Sequence, residues 1–254
     1  MRIVVVPCLR DNYAYLVIAA SGDAVVVDVS DAKAVRDALR REEARPRAIW
    51  STHHHADHVG GNEELASEYA LEVVGHESDA GRLPGFTRGV QHGDVVGAGE
   101  IRGRCLHVPG HTLGAVSYVI EEDRAVFTGD TLFSAGCGRL FEGTPAQMVA
   151  SLAKLAALPG DTRVFSGHEY TAGNLRFAAH VEPCNQAVRA ASARVEEMRQ
   201  RSEPTVGTTL DEELRTNPFL RLSSDELRRT LSIPSASDEV SAFATVRHAK
   251  DCFR

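Results

Sequence analysis

The chain has no apolar run long enough to cross a bilayer, and its amino terminus lacks the features of a secretory signal. A membrane-spanning helix needs about 20 mostly apolar residues. The opening MRIVVVP has one positive charge and a short apolar stretch that Pro7 interrupts, whereas a signal peptide needs a longer apolar segment and a small-residue cleavage site. We therefore expect a cytoplasmic protein without a membrane partner.

Cysteine is also scarce. The five cysteines are odd in number, widely spaced and form no CxxC pair; they are Cys8, Cys105, Cys137, Cys184 and Cys252. A disulfide framework would need an even number of cysteines, so this pattern favours free thiols in a reducing compartment.

An excess of positive charge is absent as well, since 28 Lys and Arg residues stand against 35 Asp and Glu and give a net charge of −7. Proteins that bind nucleic acid usually carry a basic footprint, so this balance argues against a nucleic-acid partner. It still permits a local basic pocket for a small anion. The 254 residues suffice for one large domain, or a main domain with a smaller one, and we expect a monomer.

The first two-thirds of the sequence predicts short apolar strands separated by turns and a few helices. Strands are predicted over Ile3–Val6, Tyr15–Ala19, Ala24–Val29, Ala48–Ser51, Glu72–Val74, Arg104–Val108, Ala115–Ile120, Arg124–Thr128 and Arg163–Ser166. Helices are predicted over Ala32–Arg41, Gly61–Tyr69 and Pro145–Leu158, the last with Thr144 as its N-cap. Such a mixture is typical of sheets that helices cover on their outer faces.

After about residue 172 the apolar strand pattern ends and helical spacing takes over. Helices are predicted over Ala187–Arg201, Asp211–Arg215, Ser224–Leu231 and Asp238–Lys250. We therefore expect two domains, a mixed one at residues 1–172 and a helical one at residues 173–254.

The segment THHHADH, residues 52–58, follows the apolar run Ala48–Trp50 and concentrates side chains that bind metals. His53 and His55 are two residues apart, so on an extended segment they point to the same side and can hold one ion. Asp57 and His58 are adjacent and diverge, so they could serve a second ion, with Asp57 as a ligand or as a residue that orients one. Imidazole and carboxylate ligands leave room for water, as catalytic sites require.

Three further candidates follow predicted strands, and each stands beside a glycine that permits a tight turn. They are His111 in VPGHT, Asp130 in VFTGD and His168 in VFSGH. Each signal is weak alone, because a Gly-His or Gly-Asp pair after a strand is commonly only a turn. Together with the first segment they offer seven ligands, enough for two ions that share a bridging carboxylate.

This ordered set resembles the HxHxDH core and the later ligands of the metallo-β-lactamase superfamily. The resemblance implies an α+β fold, a four-layer αβ/βα sandwich with its site at one edge of the two sheets, here followed by a C-terminal helical domain. It implies that His53, His55 and His111 hold one ion, that Asp57, His58 and His168 hold the other, and that Asp130 bridges them. Asp57, His58 and Asp130 are then the catalytic residues. Two divalent ions are expected, zinc first, although iron or manganese accepts the same ligands.

Further stretches resemble the glyoxalase II family along essentially the whole chain. They are DNYAY from residue 11, GCGRLFEGT from residue 136, GHEYT from residue 167, NLRF from residue 174, HVEP from residue 180 and RHAKD from residue 247. The family hydrolyses glutathione thioesters, typically S-D-lactoylglutathione to D-lactate and glutathione, in methylglyoxal detoxification. The matching positions imply that the glutathione part contacts Arg139, Tyr170, Arg247 and Lys250. Phe141 departs from the pattern, because some members have tyrosine there.

The last predicted helix places two of these basic residues on one face. Val240, Phe243, Arg247 and Lys250 form one stripe on its surface, so the basic pair continues an apolar face that should contact the first domain. From spacing alone, a solvated helix end whose bases are favoured by the helix dipole explains the pair better. The resemblance favours the pocket, because glutathione carries two carboxylates and one ammonium.

Four other functions share parts of the pattern. A β-lactamase would normally be exported, and an RNA-processing nuclease would need a basic surface. A persulfide dioxygenase shares the HxHxDH segment but uses a single iron, so one metal per chain would favour it. A non-enzymatic metal-binding module would lack thioesterase turnover.

Overall fold

The structure is a computed structural model that describes residues 1–253. Its strands are β1 Arg2–Cys8, β2 Asn12–Ile18, β3 Asp23–Val27, β4 Arg45–Trp50, β5 Glu72–His76, β6 Arg88–Val90, β7 Val95–Ala98, β8 Ile101–His107, β9 Val116–Ile120, β10 Ala125–Gly129, β11 Leu132–Phe133, β12 Gly136–Cys137, β13 Arg163–Ser166 and β14 Thr208–Thr209. Its α-helices are α1 Ala32–Arg41, α2 Ala56–Val59, α3 Asn62–Tyr69, α4 Pro145–Ala156, α5 Thr171–Val181, α6 Gln186–Gln200, α7 Leu210–Thr216, α8 Asp225–Thr230 and α9 Glu239–Cys252.

Two six-stranded sheets form the middle of the molecule. The first has the strand order β1-β2-β3-β4-β5-β6, and the second has the order β14-β13-β10-β9-β8-β7. In the first sheet β1 to β3 pair antiparallel and β3 to β6 pair parallel. In the second, the pair β10 and β13 is parallel and the other pairs are antiparallel.

Strand β2 shows why the sheets pack as two inner layers. Its residues alternate between the two faces of the sheet, and all seven are buried. Tyr15 and Val17 belong to the core between the sheets, which also contains Trp50 and Tyr118. Leu16 belongs to a second core, on the outer face of the first sheet. A strand buried on both faces must therefore lie between a sheet and a layer of helices.

The outer layers are helical. Val35 of α1 and Leu65 of α3 pack on the outer face of the first sheet. Met148 of α4 packs on the second sheet in one core that also contains Phe177 of α5 and Phe243 of α9. The predicted four-layer αβ/βα sandwich with C-terminal helices is confirmed.

All nine predicted strands and all seven predicted helices are present, with ends shifted by a few residues. Helix α4 begins as predicted, with Pro145 as its first residue. Its N-cap Thr144 forms a reciprocal capping box with Gln147 in the first turn. The sequence missed α2, α5 and the strands β6, β7, β11, β12 and β14. The expectation that strands end before residue 172 was wrong by one short strand, since β14 pairs with β13. The predicted boundary at residue 172 lies inside the first turn of α5, and the division into two domains stays a prediction.

No helix within residues 1–253 combines the length and the apolar character needed to cross a membrane.

Candidate functional site

Seven side chains converge at one end of the sandwich, where strands of both sheets end. The segment after β4 supplies four of them, and the turns after β8, β10 and β13 supply one each. These are the seven side chains predicted to bind metal: His53, His55, Asp57, His58, His111, Asp130 and His168. The strand ends therefore bring together residues that are more than one hundred positions apart in the sequence.

The three-histidine group consists of His53, His55 and His111. The Nδ1 of His55 lies 3.1 Å from the Nε2 of His53 and 3.0 Å from the Nε2 of His111. On its outer side, the Nδ1–H of His111 donates to the carbonyl of Arg139 at 2.8 Å. The Nδ1 of His53 lies 3.1 Å from the hydroxyl of Thr52, which donates its own proton elsewhere and must accept here. Both rings therefore turn an unprotonated Nε2 towards the centre.

The mixed group consists of Asp57, His58 and His168. The Nε2 of His168 lies 3.3 Å from the Nε2 of His58 and 3.4 Å from the Oδ2 of Asp57. The Nδ1–H of His58 donates to Asp28 at 2.9 Å, and the Nδ1–H of His168 donates to Asp11 at 2.9 Å. A carboxylate can only accept, so Nδ1 carries a proton in both rings and Nε2 is the atom that faces the centre.

Asp130 lies between the two groups. Its Oδ2 is 3.5 Å from the Nε2 of His111 and 3.3 Å from the Nε2 of His168, and its Oδ1 is 3.4 Å from the Nε2 of His58. Within residues 1–253 this buried Oδ1 has no hydrogen-bond partner. A buried carboxylate oxygen without a partner is costly, so the arrangement fits a residue whose missing partner is a cation.

The pKa values describe the same electrostatic environment. Burial lowers the pKa of His55 to about 4, with His111 adding to the effect. Burial also opposes charge on His58, but the carboxylates of Asp130 and Asp28 outweigh it and raise the pKa of His58 to about 9. Burial works against charge on Asp130 too, yet the neighbouring histidines hold its pKa far below its usual range. The site thus combines low-pKa imidazoles in the three-histidine group with an ionised carboxylate at Asp130, while the raised pKa of His58 means that a bound cation would have to displace its extra proton.

Two glycines permit this crowding. Gly129 has a φ of +49°, and a Cβ there would contact the side chain of Thr52. A Cβ on Gly167 would overlap the ring of His58 and lie 2.5 Å from the Oδ1 of Asp130. A side chain at either position would therefore displace the cluster or the threonine that orients it.

A cavity of about 650 Å³ opens beside the cluster. His111 and Asp130 line one end of it. The four residues predicted to bind substrate also line it: Arg139, Tyr170, Arg247 and Lys250. The structure therefore brings the metal-binding candidates and the substrate-binding candidates to one cavity.

The basic residues of α9 are partly occupied by the protein itself. The Nη2 of Arg247 donates to Asp251 at 2.7 Å, and its Nη1 donates to the carbonyl of Cys137 at 3.0 Å. Arg247 is buried, so its guanidinium is fixed in place. Lys250 donates to the carbonyl of Gly173 at 3.1 Å. Arg247 thus contacts the part of the chain predicted as the first domain, whereas Lys250 contacts α5.

Arg139 is exposed and lies 3.8 Å from Asp251. Arg176, which the sequence did not single out, lines the same cavity, and no carboxylate within residues 1–253 lies within 4 Å of it. Burial, and then repulsion from the neighbouring arginines, lower the pKa of Lys250 to about 8. The cavity therefore has an excess of positive charge on a protein of net negative charge.

Two aromatic rings border the cluster. The ring of Tyr170 stacks on the ring of His168, with centroids 4.6 Å apart and planes 3° apart. Phe141 is 64% exposed, and its ring lies 5.2 Å from the ring of His111. Since Phe141 has no hydroxyl, it offers the cavity an apolar edge where a tyrosine would offer a hydrogen bond.

Three orienting residues escaped the sequence prediction. Asp28 binds His58 and also accepts hydrogen bonds from the backbone and hydroxyl of Thr52, at 2.7 and 2.8 Å. Asn12 donates to the Oδ2 of Asp57 at 3.0 Å, while Asp11 binds His168. Asp11 and Asn12 belong to the DNYAY stretch, which was a usable signal. Asp28 gave none, because its placement depends on a left-handed backbone, with a φ of +56°, at the end of β3.

Comparisons with known proteins agree with this geometry. Residues 9–168 match the model of the metallo-beta-lactamase superfamily, and residues 169–253 match the model described as hydroxyacylglutathione hydrolase C-terminus. A protein of Methylococcus capsulatus named hydroxyacylglutathione hydrolase is 46% identical over 255 residues, covering 100% of this chain and 99% of the relative.

Solved structures show the same fold. The crystal structure of the BLEG-1 B3 metallo-beta-lactamase has a TM-score of 0.69 at 24% identity and covers 87% of this chain and 100% of its own. The structure of TTHA1623 in a di-iron-bound form has a TM-score of 0.63 at 29% identity, with the same coverage. The chain belongs to the metallo-beta-lactamase superfamily and, within it, to the hydroxyacylglutathione hydrolase family.

Proposed function

We propose that the chain is a thioester hydrolase that cleaves S-(2-hydroxyacyl)glutathione, with S-D-lactoylglutathione as the expected substrate, and so takes part in methylglyoxal detoxification. The products are a 2-hydroxy acid, here D-lactate, and glutathione. The observation that carries the proposal is one cavity that borders the cluster of seven metal-binding candidates, with His111 and Asp130 in its lining, and that has basic residues along its side. The name of the full-length relatives supports the same activity.

The donor set supports a centre of divalent metal. We assign one ion to the three-histidine group, a second to the mixed group and a bridging position to Asp130. The inward-facing Nε2 atoms and the unpartnered oxygen of Asp130 support this assignment. Zinc is the proposed metal, and iron or manganese would fit the same ligands. The di-iron form of a structural neighbour supports the count of two.

The basic wall suits the glutathione part of the substrate. Glutathione carries two carboxylates, and Arg139 and Lys250 present donors to the cavity. Arg247 is held by Asp251, so it contributes a fixed positive charge to the same wall. Tyr170 closes the wall beside His168 with a hydroxyl-bearing ring. These residues would hold the glutathione part so that the thioester carbonyl lies beside the metal-binding cluster.

A covalent route through the protein has no support in the cavity. Cys137 lines the cavity, but burial raises the pKa of its thiol to about 12, so it stays protonated at neutral pH. The leaving group, in contrast, is a thiolate whose parent thiol has a pKa of about 8.5. Such a thiolate leaves with little acid assistance. Direct attack by water is therefore the simpler route.

Asp57, His58 and Asp130 are the proposed catalytic residues. Divalent ions held by the two groups would supply a water of lowered pKa and positive charge for the carbonyl oxygen. Asp130 keeps its negative charge between the groups, and His58 is held by Asp28 so that its Nε2 faces the same centre. Asp57 is 45% exposed at its side chain, so it can pass a proton to solvent.

Proposals on the domain division, the oligomeric state and the cellular location accompany this function. We propose that residues 1–172 form the catalytic domain and residues 173–254 a helical substrate-binding domain, since Lys250 and Arg247 come from α9. We also propose a monomer in the cytoplasm, supported by five free cysteines that suit a reducing compartment.

A substrate panel tests the activity. The purified protein should hydrolyse S-D-lactoylglutathione and release one thiol per hydroxy acid. It should also hydrolyse a lactoyl thioester that lacks the glutathione carboxylates, but the KM for that substrate should be much higher. Oxygen consumption with glutathione persulfide is the parallel assay, and uptake of oxygen without thioester hydrolysis would contradict the proposal.

A further inference from the structure

A network of charged side chains lies directly behind His54, the middle histidine of THHHADH. Asp79 has no exposed surface, and the Nη2 of Arg82 donates to its Oδ1 at 2.5 Å. The Nη1 of Arg82 donates to the Oε1 of Glu142 at 2.5 Å and lies 3.2 Å from the Nε2 of His54. One guanidinium therefore contacts three polar side chains from three different segments, which its planar fork of donors permits and a lysine would not.

The network reaches each segment that carries the three-histidine group. His54 stands between two members of that group in sequence. The Oε2 of Glu142 accepts from the N–H of Leu113 at 2.7 Å, two residues after His111. The N–H of Glu142 in turn donates to the carbonyl of His111 at 3.3 Å. Glu142 thus holds the turn of His111 at two points, the carbonyl of His111 and the N–H of Leu113.

Asp79 contacts the same turn from another direction. Its carboxylate occupies the space that a Cβ at Gly114 would need. Its Oδ2 and the Nδ1 of His54 are both buried, face each other at 3.4 Å and have no hydrogen-bond partner in the described chain. Arg82 is thus the cation that compensates a fully buried carboxylate, and its loss would leave that charge uncompensated.

The mixed group is held by other residues. Its outer partners are Asp28, Asn12 and Asp11, and none of these contacts Arg82. Asp28 also supports His53 through Thr52, so the two groups share that residue, whereas Arg82 contacts residues next to members of the three-histidine group.

We propose that Arg82 is a positioning residue for the three-histidine group. Through His54, Asp79 and Glu142 it holds the segments that present the three imidazoles, and it sets the affinity of the ion bound there without touching that ion. The inference rests on the two-ion centre proposed above. It predicts that a substitution of Arg82 weakens the binding of the three-histidine ion more than the binding of the other ion.

The test uses the full-length protein loaded with NMR-active cadmium, because an ion bound by three imidazoles and an ion bound by two imidazoles and Asp57, each also bound by Asp130, resonate at different positions. Arg82→Met should raise the dissociation constant of the three-histidine ion about tenfold, the usual effect of losing a partner of the ligands. The dissociation constant of the mixed-group ion should change less than about twofold. Arg82→Lys should give a smaller loss, because it keeps the charge but not the fork.

Arg88→Met is the matched control. The two arginine side chains are 38% and 40% exposed, and within residues 1–253 the salt-bridge partner of Arg88 is Glu72, at 3.4 Å. The control should leave both ions unchanged. The proposal is overturned if Arg82→Met leaves the dissociation constant of the three-histidine ion unchanged. It is also overturned if the variant binds both ions more weakly by the same factor and the metal-free protein melts at a lower temperature. A single cadmium resonance in the wild type would contradict the two-ion centre, and an unchanged affinity of that ion in Arg82→Met would then contradict the role of Arg82 as well.

Discussion

At the scale of single residues, the site depends on proton positions as much as on ligand types. Four of its five histidines have their outer nitrogen bound to an acceptor: Arg139 for His111, Thr52 for His53, Asp28 for His58 and Asp11 for His168. The ligand types were predictable because they form an ordered motif. The residues that accept hydrogen bonds from these histidines were harder to predict. A carboxylate such as Asp28 reaches His58 only because β3 and β4 pair in parallel.

Lys250 provides a prediction at this scale. Its pKa of about 8 in the free protein means that it is charged below that pH and loses its charge above it. The kcat/KM for S-D-lactoylglutathione should therefore contain a limb that falls as the pH rises through about 8, because the substrate carboxylates lose a cationic partner. Lys250→Met should lower kcat/KM at pH 7 by about tenfold, mainly through KM, and should lack this limb.

Lys33→Met is the control for Lys250. Lys33 is an exposed lysine on α1 that pairs with Asp37, so the variant loses the same charge far from the cavity. With a thioester that lacks the glutathione carboxylates, the kcat/KM of the wild type and of Lys33→Met should not fall as the pH rises through about 8. A limb of the same size in Lys250→Met would show that another group is titrating.

At the scale of secondary structure elements, the sequence predicted best where the local signal was complete. The predicted bounds of α1 match the structure, and its N-cap Asp31 accepts from the N–H of Ala34. Helix α5 was missed because Gly173 weakens its propensity and its N-cap, Tyr170, makes no side-chain cap. Helix α2 and strands β11, β12 and β14 have two to four residues each, and such short elements depend on tertiary pairing that a local pattern does not encode.

One of these missed elements carries a pH prediction. The β11–β12 hairpin is attached to α7 through Glu213, which accepts from the N–H of Ala135 at 2.8 Å, the hydroxyl of Thr208 at 2.7 Å and the amide of Asn217 at 3.1 Å. Burial raises the pKa of Glu213 from 4.5 to about 7, against the effect of these donors. The folded state thus holds the proton more tightly than the unfolded state, so this stabilising contribution is complete below pH 4.5 and is lost as the pH rises through 7.

Glu213→Gln should remove that dependence. The free energy of unfolding of the wild type should fall by up to about 3 kcal/mol more between pH 5 and pH 8 than that of the variant. Chemical denaturation of the metal-loaded protein at the two pH values measures the difference. Glu212→Gln, which changes the adjacent glutamate on the same helix, should keep the wild-type slope. If Glu213→Gln also kept that slope, the titrating group would lie elsewhere.

At the scale of the whole molecule, the fold joins two chemical functions at one place. The strand ends of both sheets assemble the metal-binding cluster, and α5 and α9 add the basic wall of the cavity. The resemblance of the sequence to a family predicted this joint arrangement. Composition could exclude alternatives but could not place Arg247 beside the carbonyl of Cys137, because that contact depends on how α9 packs against the rest of the protein.

The central claim is that two ions, bridged by Asp130, give this chain its thioesterase activity. Elemental analysis of the protein, on the same sample assayed with S-D-lactoylglutathione, tests it most directly. We predict two metal ions per chain, turnover that rises and falls with metal content, and loss of both ions together in Asp130→Ala. Full turnover with one ion per chain, or an Asp130→Ala variant that keeps one ion at full occupancy and stays active, would contradict the account.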